Sequence, residues 1–194
     1  MPNQRPKILI TGSNGLVGRQ LAPNLAADHD LVLWDKTAPA YEGEATKRTV
    51  DLTDAEAVRA AMAPVDAVVH LAIASYREIA QGGSFTGEAD PAAEAAFHAQ
   101  TLRVNNDGAY HVYNAAREAG VPRFLYMSSL TIHDGGRESG TLDVRQDPRP
   151  RDLYACTKLF GEALGRLFSA DGQMRVCCLR MGQPFPIKDF PEVM

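Results

Sequence analysis

The sequence predicts a doubly wound α/β fold, a parallel sheet with helices packed on both faces. Short β-rich apolar runs alternate with longer stretches of helical periodicity. Most of those runs are almost continuously apolar, as strands covered on both faces are. The first run leads directly into a glycine-rich turn, TGSNGLVG, that opens a helix.

The expected strands are Lys7–Thr11, Asp30–Asp35, Arg48–Asp51, Ala67–Ala72, Arg123–Ser129 and Arg175–Arg180. The first helix is expected from Gly15 to about Ala27. The second begins at Thr53, where Thr53 and Glu56 have the spacing of a capping box. The third follows Asp90-Pro91, an N-cap with proline at the first helical position, and runs unbroken to Gly120 as its terminating glycine. The fourth carries Tyr154 and Lys158 and ends near Gly172. Two polar stretches, Tyr76–Asp90 and His133–Asp152, read as loops. Both leave the carboxyl ends of strands, where sheets of this kind bind ligands.

The chain has 194 residues, 45% hydrophobic and 23% charged, enough for one domain with a real core. A formal net charge of −4 without a Lys/Arg cluster argues against nucleic acid as a partner. No apolar run approaches the length that spans a bilayer, and the first residues lack a signal-peptide core, so no membrane partner and a cytoplasmic location are expected. The three cysteines form neither a metal pattern nor a disulfide framework. Cys177 and Cys178 fall on an expected buried strand, as small hydrophobes. No internal repeat is present.

Gly12, Gly15 and Gly18 follow the first strand with the spacing G-x-x-G-x-x-G. Glycine there permits a tight turn and close approach of backbone to a pyrophosphate, and the helix N-terminus adds N–H donors. Without a ligand, the same residues would be a glycine-rich strand–helix turn. Asp35 ends the second strand, where a carboxylate accepts from the ribose hydroxyls of NAD and repels the 2′-phosphate of NADP. Its alternative is a solvated turn carboxylate. Asp51 and Leu52 follow the third strand and could hold the adenine edge.

Tyr154 and Lys158 lie four residues apart in LYACTKLFGEALGRLF, on one helix face. An ammonium beside a phenol favours the phenolate and lowers its pKa from about 10, which suits the tyrosine to proton transfer. The alternative is an aromatic packed in the core. His70 reads as a strand-end core histidine.

These motifs resemble the extended short-chain dehydrogenase/reductase family, in its epimerase/dehydratase branch. The likeness runs in order through TGSNGLVG, Asp35, Asp51-Leu52, VVHLA at Val68–Ala72, RVNNDGAYHVYNAA around Asn105, FLYMSS ending at Ser129, PRPRDLYACTK ending at Lys158, and CLRMGQPFP. It implies a Rossmann-type domain over residues 1–182, with 183–194 beginning a substrate lobe that this chain mostly lacks. It implies NAD as the cofactor, held by Gly12, Asn14, Gly15, Leu16, Val17 and Gly18 of the turn and by Asp35, Asp51 and Leu52. Leu71, Ala72 and Ile73 would line the groove, with Met127 and Met181 at neighbouring strand ends and Asn105 as a structural asparagine. Tyr154 would be the general acid/base, Lys158 would hold the nicotinamide ribose, and Ser129 would bond the reacting oxygen.

Within the family, HLAIAS ending at Ser75 and the stretch Pro148–Pro186 are similar to bacterial uronate dehydrogenases. Ser75 and Ser129 fall on positions that contact substrate in that group, and Leu130, Thr131 and Gln183 stand where the group carries Asn, His and Ser. Those changes point from uronate itself towards a related sugar or sugar acid. Leu130-Thr131 also lacks the Asp-Glu pair of dehydratases, while nucleotide-sugar epimerisation and a non-catalytic dinucleotide sensor stay open. The resemblance further implies a homodimer, through a four-helix interface of the helices holding Asn105–Ala119 and Tyr154–Phe168.

Overall fold

The computed structural model describes residues 5–74, 91–139, 143 and 145–182, with backbone alone at 136–139. One sheet contains β1 (Lys7–Thr11), β2 (Asp30–Asp35), β3 (Thr46–Thr49), β4 (Ala67–His70), β5 (Arg123–Ser129) and β6 (Arg175–Met181). The order is β3-β2-β1-β4-β5-β6 and every pairing is parallel. The expected doubly wound fold is the one observed. The strand order reverses between β1 and β4, and such a switch point opens a crevice at the carboxyl ends of the strands.

Alternation along the strands divides the core in two. Leu9, Val32, Trp34, Val68 and Phe124 point to one face, under α2 (Ala55–Ala61), α4 (Ala109–Glu118) and α5 (Leu153–Ser169). Ile8, Ile10, Leu31, Leu33 and Val69 point to the other, under α1 (Leu16–Leu25). Each fully buried side chain of this size stabilises the fold by about 1.5–3 kcal/mol. Tyr113 stacks between Phe124 at 4.0 Å and Phe168 at 5.4 Å, which ties α4 and α5 to the same part of the sheet.

Several boundaries differ from expectation for physical reasons. β3 is an exposed edge strand ending at Thr49, and buried Val50 follows it. β4 ends at His70, although Leu71 N–H still donates to Thr11 O. α1 stops at Leu25. The N-cap of α2 is Asp54, not Thr53: Asp54 accepts from Ala57 N–H, while Thr53 turns back to Asp51 and Glu56 pairs with Arg59. The long third helix is not unbroken. It consists of α3 (Pro91–Leu102), a π-helical turn (Arg103–Gly108) and α4. The extra residue of such a turn changes the helix face, and Asn105 within it is 2% exposed. α4 then closes with Gly120 at φ 71°, where Gly120 N–H donates to Arg117 O and Val121 N–H to Ala116 O, a Schellman cap.

The beginning of the expected His133–Asp152 loop is instead part of a 3-10 helix, Leu130–Ser139. β6 extends to Met181 but is a sheet edge, so Cys177 is exposed and Cys178 half-buried, not buried as expected. Among the described residues no helix is long and apolar enough to cross a membrane.

Candidate active site

The glycine turn sits at the switch point. Gly12 has φ 72°, and a Cβ there would lie 2.7 Å from the backbone N and Cα of Ala72. The turn therefore lies directly against the exit of β4, where Leu71, Ala72 and Ile73 follow. A Cβ on Gly18 would meet Gly12 O at 2.5 Å, so the first turn of α1 packs on the glycine loop itself. Gly15 is the N-cap of α1 and offers no side-chain cap. The first N–H groups of that helix are thus left for another acceptor. Ser13 Oγ in the loop is buried without a hydrogen-bond partner. An uncapped helix start, a buried unpartnered hydroxyl and a loop that excludes Cβ atoms fit the pyrophosphate of a dinucleotide.

The loop is braced on β2. Asn14 N–H donates to Asp35 Oδ2 at 2.9 Å and Ser13 N–H to Trp34 O at 3.1 Å. The Asn14 side chain bonds Thr37, Ala38 O and Ala40 N–H, so it shapes the turn after β2. Asp35 lies half-buried at the strand end, with one oxygen committed to the loop and the other 3.4 Å from Thr37 N. Asp51 is exposed and accepts from Thr53 N–H and Oγ1–H, the first of which chiefly holds its carboxyl below the ordinary range. Leu52 is buried against Gly108. Leu16 and Ile73 are among the large apolar side chains left exposed, while Val17 packs on the core cluster that includes Leu71.

The other end of the crevice is formed by β5 and α5. α5 starts at Asp152, whose carboxylate caps Ala155 N–H at 2.7 Å. Tyr154 and Lys158 follow one turn apart, and Ser129 at the end of β5 lies near enough to Tyr154 to lower its pKa in part. Thr131 donates to Ser129 Oγ from both N–H, at 3.2 Å, and Oγ1–H, at 2.9 Å. Thr131, expected to meet substrate, is bonded to Ser129. Leu130 beside it is half-buried. Ser75 and Gln183 lie outside the described residues.

Lys158 is 2% exposed and donates to Met127 O at 2.7 Å. Its Nζ lies 5.4 Å from the centre of the Tyr154 ring and 5.1 Å from that of Tyr126. Burial brings its pKa down to about 7. The Tyr154 pKa is raised, not lowered as expected: burial dominates, the Ser129 hydrogen bond opposes it, and the Asp152 charge adds to it. The reason is geometric. The lysine is turned to a backbone carbonyl and is itself reluctant to carry charge, so the phenol is not relieved of its desolvation.

His70 is buried and bonded to Thr11 Oγ1 at 2.8 Å, with its pKa lowered to about 3 by burial and then by Lys158. It is a neutral core histidine. Asn105 accepts from Ala74 N–H at 2.8 Å and donates to Thr157 Oγ1 at 3.1 Å, and Thr157 in turn bonds Tyr154 O. The π-helical turn thus joins the β4 exit to the start of α5. Met127 and Met181 lie on adjacent strands, half-buried, with Ser129 paired to Met181.

A cluster that the motifs did not indicate lies behind Lys158. Glu162, 4% exposed, accepts from Ser128 Oγ at 2.7 Å and takes a two-pronged contact from Arg180, each prong 2.9 Å. Arg180 Nη1 lies 2.9 Å from His133 Nε2. Burial resists the Glu162 charge, but Arg180 and Ser128 outweigh it and hold the carboxyl below its ordinary range. The available signal was an acidic residue continuing the i, i+4, i+8 face of Tyr154 and Lys158, and an arginine inside an otherwise apolar strand.

Fold and site together define a dinucleotide-binding α/β protein with a glycine turn at the sheet's switch point and a tyrosine–lysine–serine cluster at the end of β5. The chain belongs to the NAD dependent epimerase/dehydratase family, whose model matches residues 8–186. It is 31% identical to L-arabinose 1-dehydrogenase (NAD(P)(+)) of Haloferax volcanii, over 91% of this chain and 66% of that enzyme. It is 30% identical to uronate dehydrogenase of Pseudomonas putida, over 93% of this chain and 62% of that one. A short-chain dehydrogenase/reductase superfamily protein from Agrobacterium tumefaciens with bound NAD superposes with a TM-score of 0.71 at 31% identity, over 90% of this chain and 48% of that one. The chain thus spans between 48% and 66% of these proteins.

Proposed function

We propose that the protein takes part in NAD-dependent oxidation or reduction at a hydroxyl or carbonyl carbon of a sugar or sugar acid. The observation that carries this is the placing of Tyr154 and buried Lys158 one helical turn apart on α5, against the carboxyl end of β5 where Ser129 lies and where Lys158 bonds Met127 O. The identities to sugar dehydrogenases support the substrate class. Gly12, Gly15 and the start of α1 would hold the pyrophosphate, and Asp35 the adenosine ribose, favouring NAD over NADP. Leu71, Ala72 and Ile73 would line the nicotinamide side.

Bound NAD would supply the hydride acceptor. Tyr154, as the phenolate, would accept the proton of the substrate hydroxyl, leaving a carbonyl as hydride departs from the same carbon. Ser129 would bond the reacting oxygen and keep it within reach of the phenol. Lys158 would bond the nicotinamide ribose in place of Met127 O. In that position its ammonium would lower the raised phenol pKa.

Exposed Leu102, Tyr110, Phe160 and Leu167, on α3, α4 and α5, support self-association through these helices. A single species of monomer mass in sedimentation would dispose of the dimer.

The function is tested by offering aldoses, uronic acids and nucleotide sugars with NAD and following NADH. Products formed from nucleotide sugars without NADH would make the protein an epimerase instead. Tyr154→Phe is expected to lower turnover by about 100- to 10,000-fold while NAD affinity is kept. Unchanged turnover would remove Tyr154 from the mechanism.

A further inference from the structure

The Glu162 cluster touches each element that bears on the chemistry. Glu162 lies one turn beyond Lys158 on α5, Ser128 precedes Ser129 on β5, and Arg180 precedes Met181 on β6. Ser128 and Arg180 are paired across the sheet. The fourth member, His133, is 4% exposed and lies on the 3-10 helix, two residues after Thr131. Arg180 therefore holds the Tyr154 helix with one edge of its guanidinium and the Leu130–Thr131 turn with the other.

We infer that His133 is a positioning residue for the substrate side of the site: through Arg180 and Glu162 it sets the Leu130–Ser139 turn, and with it Thr131 and Ser129, against the helix that carries Tyr154. The inference rests on the proposed sugar oxidation for its kinetic consequence only. A guanidinium has no lone pair to offer, so Nε2 must accept, and the imidazole is the neutral form protonated on Nδ1. The charged groups around it are Arg180 on β6, Glu162 on α5 behind Arg180, and Asp143, whose carboxyl Arg145 holds low through its hydrogen bonds. Neither the phosphate loop nor Asp35 is bonded to any member of this cluster in the hydrogen bonds described, so a change at His133 should reach substrate and leave NAD alone.

The experiment uses the full chain and the variants His133→Gln and His133→Leu. Glutamine can place its amide oxygen where Nε2 accepts, and leucine cannot. Imidazole nitrogen resonances of the wild type at neutral pH should show His133 protonated on Nδ1 and bare on Nε2. Hydrogen exchange in segment 130–135 should quicken in the leucine variant and stay near wild type in the glutamine variant. The substrate KM should rise about tenfold in the leucine variant, the scale of one lost buried hydrogen bond, with NAD affinity unchanged and glutamine restoring most of it. Protonated Nε2 overturns the inference whatever the activity. So does unchanged exchange in the leucine variant, or equal loss of NAD and substrate binding. If the wild type oxidises no sugar, the function falls, while resonance and exchange still decide the positioning.

Discussion

Around Gly12 the crevice is shaped by what the side chains leave out, whereas around Glu162 it is held by polar groups buried at a desolvation cost. The glycine turn touches the β4 exit backbone to backbone, at distances where a single Cβ cannot fit. The α5 end contains Lys158, Glu162, Ser128 and His133, all under 9% exposed, joined by Arg180 and backbone carbonyls. The first region stores its geometry in sterics, which neither pH nor salt alters. The second stores it in charge and hydrogen bonds, which respond to both. A binding site for an invariant phosphate group suits the first kind of construction. A site that must gain and lose protons suits the second.

The largest expected effect breaks the steric region. In Gly12→Ala the new Cβ meets the N and Cα of Ala72 at 2.7 Å, and those atoms cannot swing aside as a side-chain tip could. Left-handed strain adds to the clash, for a total of about 3–5 kcal/mol. Urea denaturation should show the loss, and NAD titration should show binding abolished even in whatever fraction folds. Retained affinity would mean that the loop does not need its contact with β4.

The steric region was also the legible one. Gly12, Gly15 and Gly18 announce themselves by spacing, and a parallel sheet follows from apolar runs whose bounds for β1, β2 and β5 match the strands observed. Tyr154 and Lys158 are visible as a pair for the same reason of local periodicity. What they do to each other was not visible, because the lysine's partner is the carbonyl of Met127, thirty-one residues away in the chain. The Glu162–Arg180–His133 cluster joins three elements, and no local pattern encodes such a contact. The π-helical turn was hidden in the same way: its sequence is helical, and only packing against Leu52, Ala74 and Thr157 selects the wider turn. The cysteines of β6 are more exposed than expected because burial of a strand depends on whether it is an edge, which composition does not say.

The second effect breaks the polar region. Arg180→Met leaves Glu162 buried with only Arg166, 3.8 Å away, as a cationic partner among the described residues. The expected loss is about 3 kcal/mol, at the low end for a buried pair because Arg180 is itself partly exposed. Removing both charges in Glu162→Leu/Arg180→Met should return stability to within about 1 kcal/mol of wild type. The sign of the pH dependence follows from the lowered Glu162 pKa. Its contribution is present above the ordinary carboxylate range and is lost as pH falls through the folded value, so the acid limb should be steeper in wild type than in the double variant. Superimposable acid limbs would show that the carboxylate contributes nothing.

A third effect, smaller per pH unit, reads Lys158 directly. Its folded pKa of about 7 lies below the unfolded value near 10.4. Between those values the unfolded chain carries a proton that the folded chain sheds. The stability is thus greatest above the unfolded pKa and is lost as pH falls through about 7. Compared with Lys158→Met, the wild type should gain on the order of 1 kcal/mol per pH unit on going from pH about 7 to about 10. Parallel curves for the two proteins would show that the lysine is charged throughout.

The smallest effect separates the two costs combined at Gly12. Gly120 has nearly the same backbone angle, φ 71° against 72°, but a Cβ there would find nothing within 4 Å. Gly120→Ala therefore carries the left-handed penalty without the clash, and the unfolded chain also loses some of its freedom. The net cost should be about 1 kcal/mol, with NAD affinity unchanged. The difference between the two alanine variants then measures what the contact between the glycine turn and Ala72 contributes. If the two cost the same, the clash is relieved by movement of the β4 exit, and the steric region is softer than its distances imply. Leu71, Ala72 and Ile73 would move with it, so such a result would also predict weakened NAD binding in Gly12→Ala alone.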